Sequence, residues 1–288
     1  MPLLAQEASS TTFFTGAHPD DWQLFETPNA INDVRNPGNK TVFIYLTAGD
    51  NGCGTGCPSP WGNHLPYYQV RELGAQRSIR FVAMLDGTPA KAESGQTITI
   101  NQHHILRYVF GHTVQYYFRL PDGNNIDGTG YPATGNQSLL LLHQGAIKQL
   151  TAIDGSAVYT SWAELVDTFR ALIISEATGS SNVWMNTQDP DSTINPGDHP
   201  DHYQNGMAMQ EAVANLSCVN EAFFTGYAKA AYKQNVRGLD FELQTGTFAV
   251  IQSARADYGV DQPFLGEDGW LGRNYYRVVL GSGSACHF

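Results

Sequence analysis

The chain has 288 residues, of which 42% are hydrophobic and 15% are charged, and its formal net charge is -11 at pH 7. A chain of this length buries enough surface to fold without a structural metal or disulfide. It carries 27 carboxylates against 16 Lys and Arg, so no nucleic-acid partner is expected, because that binding depends on neutralising phosphates. No apolar run approaches the roughly 18 to 20 residues of a membrane span, so no transmembrane segment is expected.

The first ten residues, MPLLAQEASS, are predicted to be a disordered lead-in. They lack the basic n-region and the full apolar h-region of a signal peptide, although a remnant of one stays an open alternative. Residues 11–17 (TTFFTGA) and 41–47 (TVFIYLT) are rich in β-branched and aromatic residues and lead into glycine-containing turns. This pattern predicts two buried parallel strands.

The middle of the chain alternates between strand and helix patterns. Residues 68–81 have apolar positions near a 3.6-residue period and predict a helix. Further strands are predicted at 97–100 and 114–120, and further helices at 137–150 and 162–177. The alternation favours an α/β fold with a mostly parallel sheet flanked by helices. No repeat or linker marks a boundary, so residues 11–288 are predicted to form one domain, with long loops at 49–67, 121–135 and 186–205.

Four cysteines allow three disulfide connectivities, and the sequence does not choose among them. Cys53 and Cys57 lie in a glycine-rich segment, NGCGTGCPSP, that can fold back to join them. A zinc site at this CxxxC would need a second pair of ligands, which the isolated Cys218 and Cys286 do not offer at a similar spacing. The cysteine content favours a secreted or periplasmic protein, with cytosolic thiols as the open alternative.

A His-Pro-Asp triplet occurs twice, at residues 18–20 and at residues 199–201. The first copy directly follows the first predicted strand, where open α/β sheets place their ligands. There His18 and Asp21 can face one point. In the second copy, a single helical turn would bring His199 and His202 to one side of the chain. The two segments together predict a His/Asp/His metal site at the carboxyl end of the sheet.

Such a set suits catalytic zinc, which takes three nitrogen and oxygen ligands and leaves a position for water. Asp20 is then a spare carboxylate that can accept a proton from that water. The alternative for Asp20 or Asp21 alone is a helix N-cap, and the alternative for Arg71 and Glu72 is an exposed salt bridge on a helix. The remaining histidines are predicted to be structural or to lie on the surface: 64, 103, 104, 112, 143 and 287.

These motifs also resemble those of a known family. AHPDD follows the first predicted strand, LTAGD (residues 46–50) follows the second, an Arg-Glu step lies on the next helix, and HPDH comes late. The chain is similar in these segments to the PIG-L/LmbE-type metal-dependent N-deacetylases, and RLPDGN (residues 119–124) matches one of their subgroups. The resemblance spans roughly residues 11–205. Trp22 stands where many members carry an acidic residue, and no motif covers the chain after about residue 210.

The resemblance implies a Rossmann-like, deacetylase-like domain in which His18, Asp21 and His202 bind zinc or another divalent metal. It implies further that Asp20 is the general base and that His199 stabilises the oxyanion. Arg71 and Asp122 would bind the sugar. Loop aromatic residues are additional candidates for stacking on a sugar ring: Trp61, Tyr67 and Tyr68.

The resulting expectation is a zinc-dependent hydrolase that removes the acetyl group from an N-acetylglucosamine-type sugar or glycoconjugate. One alternative is a carbohydrate-binding protein of the same fold without turnover, which release of acetate from an acetylated chitobiose would exclude. The other is a metal hydrolase that acts on other N-acyl amides or on esters, which a panel of N-acyl substrates would identify.

Overall fold

The computed structural model describes residues 10–57, 65–85, 87, 94–259, 266–286 and 288. The described residues do not include residues 1–9 of the predicted lead-in, nor Trp61, His64 and His287. The first strand begins at Ser10, the last residue of the predicted lead-in.

Eight strands form one mixed sheet in the order β10-β9-β8-β1-β2-β5-β4-β3, and two short strands form a separate hairpin. The five central strands, from β9 to β5, run parallel, whereas β10, β4 and β3 pair antiparallel at the two edges. The strands are β1 Ser10–Gly16, β2 Asn39–Thr47, β3 Ser94–Ile100, β4 His103–Phe110, β5 Thr113–Leu120, β6 Leu150–Thr151, β7 Val158–Tyr159, β8 Asn182–Gln188, β9 Asn220–Phe224 and β10 Tyr276–Val279.

Helices cover both faces of the sheet, as predicted for an α/β fold. They are α1 Asp21–Phe25, α2 Asn29–Arg35, α3 Tyr67–Met84, α4 Leu139–His143, α5 Trp162–Ala177, α6 Pro200–Val213 and α7 Leu239–Asp257. Short 3₁₀ helices lie at Pro132–Thr134, Tyr227–Ala231 and Glu267–Trp270. Within the described ranges, no helix combines the length and apolarity needed to cross a bilayer.

The core lies on the two faces of the central strands. On one face, Phe13 and Met185 pack with apolar residues of α5 and α6. On the other face, Phe14 and Phe43 pack with residues of α2 and α3. Successive residues of β1 thus point to opposite faces and are buried on both, which explains why this strand reads as a continuous apolar and β-branched run.

Several predicted elements differ from the observed ones. The predicted helix 137–150 is reduced to α4, because Gly145 adopts a positive φ of 68° that ends the helix. The predicted loop 186–205 contains the end of β8 and the start of α6, so only residues 189–199 are loop. The sheet edge near residue 97 is an antiparallel hairpin with β4, which was not predicted.

Candidate active site

Both His-Pro-Asp segments lie at the start of a helix beside the carboxyl ends of the parallel strands. The first segment connects β1 to α1, and Asp20 occupies the N-cap position without capping a backbone N–H. In the second segment, His199 is the N-cap residue of α6, its Nδ1 accepts a hydrogen bond from the Asp201 backbone N–H, and Pro200 is the first helical residue. The Asp20 side chain is therefore left free for another role.

The three predicted metal ligands converge on one point. The Asp21 Oδ1 atom lies 3.5 Å from Nδ1 of His18 and 3.3 Å from Nε2 of His202. The same two imidazole nitrogens are 3.3 Å apart. Two atoms roughly 2.0 to 2.1 Å from a tetrahedral zinc ion are about 3.3 to 3.4 Å apart, so the spacing of these donors fits zinc.

Neighbouring side chains fix the orientation of these donors. The Asp198 carboxylate lies 2.8 Å from Nδ1 of His202, an arrangement that points Nε2 toward the cluster. Asp21 uses its Oδ2 to accept hydrogen bonds from the His18 backbone N–H at 2.8 Å and from the Gln188 side chain at 2.9 Å. Its Oδ1 atom is thereby directed at the two imidazoles.

A second buried group shares His18 and has a wider spacing. It also contains Asp122, His199 and Asp201, and its donors could likewise hold a metal ion. The distances from Nε2 of His18 are 3.6 Å to Asp201 and 4.0 Å to Asp122. Nδ1 of His199 already accepts a backbone hydrogen bond, and Oδ2 of Asp201 already accepts one from Gly123 at 2.7 Å. The structure therefore contains a buried His/Asp cluster with two overlapping sets of metal donors.

The charges of the cluster favour a cation at its centre. Burial opposes a positive charge on His18, but Asp21 and Asp201 outweigh burial and raise the pKa of His18 to about 10. The pKa of His202 is raised for the same reason by Asp198 and Asp21. Protons and a divalent metal ion can both supply the positive charge that these carboxylates favour.

His199 has the opposite tendency. Burial and the neighbouring His18 lower the pKa of His199 to about 4. Because Nδ1 of the neutral ring accepts a hydrogen bond, its proton lies on Nε2. His199 also lines the pocket, so this N–H adds a neutral hydrogen-bond donor to the lining.

Asp20 does not join the metal donors and instead contacts two arginines. Its Oδ1 accepts a hydrogen bond from Arg71 on α3, and its Oδ2 lies 3.2 Å from Nη2 of Arg255 on α7. Burial favours the neutral carboxyl, but the two guanidinium groups outweigh it and lower the pKa of Asp20. Asp20 is thus held ionised beside the cluster.

A pocket of about 250 Å³ opens over the cluster. Its apolar wall includes Leu24 and Phe25 of α1 and, from the region that no motif covered, the rings of Tyr227 and Trp270, which stack with centroids 4.6 Å apart. The volume is smaller than the roughly 300 to 1,000 Å³ of pockets for drug-sized ligands, so it suits one ring of a larger molecule. The polar lining residues include Asn51, Tyr67, Arg71, Asp122, Asn125, Tyr131, Arg255 and Glu267.

The RLPDGN segment joins the pocket to the sheet. Arg119 donates hydrogen bonds of 2.6 and 2.8 Å to Glu72 of α3, and Asp122 lines the pocket. A Cβ atom at Gly123 would lie 2.4 Å from Oδ1 of Asp201, so only glycine fits at this position. The amide oxygen of Asn124 accepts backbone hydrogen bonds and closes the following turn. The motif thus connects α3, the pocket and the start of α6.

The alternative of an exposed Arg71–Glu72 salt bridge is wrong. Both side chains are largely buried and have different partners, because Arg71 points to Asp20 and Glu72 to Arg119. Tyr68 packs near Arg119, and the structure does not place it among the pocket residues, whereas Tyr67 lines the pocket.

Trp22 lies in the core rather than in the pocket, and its Nε1 donates a hydrogen bond of 3.0 Å to Tyr45. Trp22 is therefore not among the residues that line the pocket. The histidines predicted to be structural have partners elsewhere: His103 with Glu164, His104 with Thr99, His112 with Val34 and His143 with Gln204.

Sequence reasoning missed the part of the site that comes from the end of the chain. Arg255, Glu267, Trp270 and Tyr227 have no motif or spacing that marks them, so no local signal could have identified them. Asp198 directly precedes the second His-Pro-Asp triplet, and its spacing of four residues from His202 is the signal that could have been used.

No protein-family model matches this chain, and no curated protein matches it significantly.

Proposed function

We propose that this protein is a zinc-dependent hydrolase that removes the N-acetyl group from an amino sugar or glycoconjugate. The observation that carries the proposal is the spacing of three donors, on His18, Asp21 and His202, which fits a tetrahedral zinc ion beside a carboxylate that is not a ligand. The resemblance of the motifs to N-deacetylases supports the same reaction.

A zinc ion held by these three residues would polarise an amide carbonyl and make a water molecule more acidic. Asp20 accepts the proton of the attacking water and passes it to the nitrogen of the departing amine. His199 donates its Nε2 proton in a hydrogen bond to the carbonyl oxygen as negative charge develops there. Its lowered pKa keeps the ring neutral near pH 7, so this interaction is a neutral hydrogen bond.

The pocket lining supports a sugar as the group that carries the acetamide. Stacked Tyr227 and Trp270 offer an apolar surface to a sugar ring, and Asp122, Asn51 and Tyr131 offer hydrogen-bond partners to its hydroxyl groups. Asp122 keeps its proposed role in sugar binding. Arg71 lines the same pocket, but two of its nitrogens already bond to Asp20 and to the Gly49 carbonyl oxygen. We therefore propose that Arg71 acts on the substrate through Asp20 as well as directly.

The compartment that fits these features is an oxidising one. The structure contains disulfides at Cys53–Cys57 and Cys218–Cys286, which cytosolic proteins rarely keep. We propose that the protein acts outside the cytosol, on extracellular or periplasmic glycans.

The experiment measures metal content and acetate release together. Purified protein is expected to hold about one zinc per chain, and chelation is expected to abolish acetate release from N-acetylated chitooligosaccharides until zinc or cobalt is added back. His202→Gln should lose the metal, whereas His143→Gln, which changes a histidine outside the site, should keep it.

Metal-free protein with full activity would overturn the proposal. Zinc-loaded protein that binds the saccharide without releasing acetate would favour the carbohydrate-binding alternative. Turnover of other N-acyl amides but not of acetylated sugars would retain the chemistry and reject the substrate.

A further inference from the structure

The Asp20 carboxylate is held from two sides by helices that are far apart in the sequence. Arg71 on α3 donates to Oδ1, and Arg255 on α7 lies 3.2 Å from Oδ2. Both arginines line the pocket over the metal donors. The second arginine lies after residue 210, beyond the motifs of the sequence, and the proposed function assigns it no role.

Close packing of α3 against α7 brings the two guanidinium groups together. Gly74 of α3 faces Ile251 of α7, and a Cβ at Gly74 would lie only 3.3 Å from the Ile251 carbonyl oxygen. On the same side, the Ser78 hydroxyl lies 3.3 Å from the Thr247 carbonyl oxygen. Gly74 therefore permits the close approach of α3 and α7.

Arg255 is itself oriented by an acidic partner. Its Nη1 lies 3.3 Å from each oxygen of Glu267, and Gln252 donates a hydrogen bond of 2.9 Å to the same carboxylate. Glu267 also lines the pocket and begins the 3₁₀ helix that ends at Trp270. The end of the chain thus supplies a connected set of three side chains behind Asp20.

We propose that Arg255, oriented by Glu267, is a positioning residue that fixes the Asp20 carboxylate for proton transfer. The inference rests on the proposed function, in which Asp20 accepts the proton. Each carboxylate oxygen has two lone pairs, and one guanidinium contact per oxygen restrains rotation of the group while leaving lone pairs for the pocket. Proton transfer is sensitive to such placement, because a displacement of about 1 Å can cost roughly 10² in rate.

The activity test compares two arginines on the packed helices α3 and α7, of which Arg255 contacts Asp20 and Arg77 contacts Asp257 instead. Arg255→Gln is expected to lower kcat by about 30- to 100-fold while KM changes by less than about threefold and zinc content is unchanged. Arg255→Lys should recover only part of kcat, because a lysine cannot reproduce the planar fork. Glu267→Gln should give a smaller loss.

The control is Arg77→Gln. Arg77 of α3 forms an ion pair of 2.6 Å with Asp257 of α7 on the surface, away from the pocket. The Arg77→Gln variant should keep kcat and KM within about twofold of the wild-type values, since it removes an ion pair between α3 and α7 without changing the contacts of Asp20. Equal losses in Arg77→Gln and Arg255→Gln would show a purely structural role and overturn the proposal. If Arg255→Gln does not fold, Arg255→Lys and Glu267→Gln carry the same comparison.

A second measurement does not depend on activity. The side-chain carboxyl ¹³C resonance of Asp20, assigned by its loss in Asp20→Asn, is expected to shift in metal-free Arg255→Gln and to stay in place in Arg77→Gln. An unshifted resonance together with unchanged kcat overturns the positioning role and leaves the proposed function intact. A shifted resonance in a protein that hydrolyses no acetamide supports the positioning role and rejects the proposed function.

Discussion

Asp20 and Asp21 are adjacent in the sequence, yet their carboxylates face different partners. Asp21 begins α1, and its Oδ1 lies within 3.5 Å of two imidazole nitrogens. Asp20 precedes the helix and contacts Arg71 and Arg255 instead. A helix start separates the two neighbours, because successive side chains there point about a quarter turn or more apart.

This separation predicts different losses in two variants. Asp21→Ala should lose zinc affinity and activity together, since it removes one of three proposed ligands. Asp20→Asn should keep about one zinc per chain and lower turnover by about 10² to 10⁴, the range for a positioned general base. Metal analysis and steady-state kinetics check this, after circular dichroism has shown native folding for both. If Asp20→Asn lost zinc while Asp21→Ala kept it, the two roles would be exchanged.

Asp33 on α2 predicts a pH effect on stability that is independent of the site. Burial raises the pKa of Asp33 to about 6, although a hydrogen bond from Thr12 opposes the shift. Between about pH 4 and 6 the folded protein holds a proton that the unfolded chain has lost, so Asp33 makes the free energy of unfolding fall as the pH rises through this window.

As the pH rises from 4 to 7, the free energy of unfolding of Asp33→Asn should therefore increase by about 2 kcal/mol relative to that of the wild type. Urea denaturation at several pH values measures the difference, and Asp240→Asn at an exposed position on α7 controls for the change in net charge. A difference between wild type and Asp33→Asn that does not vary with pH would show that the carboxyl titrates normally in the folded protein.

At the level of elements, the sequence predicted those whose pattern is local. Strands β1 and β2 are buried on both faces and therefore consist of continuous β-branched and aromatic residues. Helix α5 begins with the capping sequence Ser161-Trp162-Ala163-Glu164, in which the Ser161 hydroxyl accepts the Glu164 backbone N–H. All three elements were recognisable from a few consecutive residues.

Helix α7 shows why the remainder was not predictable. Its middle, Thr245-Gly246-Thr247-Phe248, has low helix propensity, so its stability depends on packing against α3. The residues of the site divide in the same way, into those that a local sequence pattern marks and those that only tertiary packing brings together. His18, Asp21, His199 and His202 lie in two short segments with recognisable spacing, whereas Arg255 reaches Asp20 only through the tertiary contact of two helices.

The loop closed by Cys53–Cys57 predicts an effect on substrate binding. Directly before this loop, Asp50 accepts hydrogen bonds from the backbone N–H groups of Asp122 and of Gly54 in the loop, and Asn51 accepts one from the Tyr131 hydroxyl. These hydrogen bonds connect the loop to the segment that carries the pocket residues Asp122 and Tyr131.

Replacing both cysteines by alanine, in the variant C53A/C57A, should raise KM about tenfold by loosening this wall, with zinc content unchanged. Saturation kinetics and metal analysis measure the two quantities. A large loss of zinc in this variant would mean that the loop supports the metal donors rather than the substrate.

For the molecule as a whole, the second disulfide determines how the end of the chain is held. Cys218 precedes β9 and bonds to Cys286, and the 68-residue separation encloses α7, β10 and the pocket residue Trp270. Cys286 is buried against the main hydrophobic cluster. The bond therefore closes a large loop that contains one wall of the pocket.

The entropy lost by the unfolded chain grows with the size of the closed loop, so the two disulfides should differ in their effect on stability. Removing the Cys218–Cys286 bond should lower the free energy of unfolding by about 4 kcal/mol, and removing the Cys53–Cys57 bond, which closes a loop of about five residues, should lower it by about 2 kcal/mol. In a protein of this size these losses correspond to melting temperatures lower by roughly 8 to 16 °C and 4 to 8 °C.

Thermal unfolding of C218A/C286A and C53A/C57A, followed by circular dichroism, compares the two. At 25 °C the C218A/C286A variant should keep its KM, because Trp270 and Glu267 retain their contacts with Tyr227 and Arg255 as long as the protein is folded. The two variants should therefore differ: C218A/C286A should lose mainly stability, and C53A/C57A should lose mainly substrate binding. A raised KM in folded C218A/C286A would show that the disulfide also holds the aromatic wall in place.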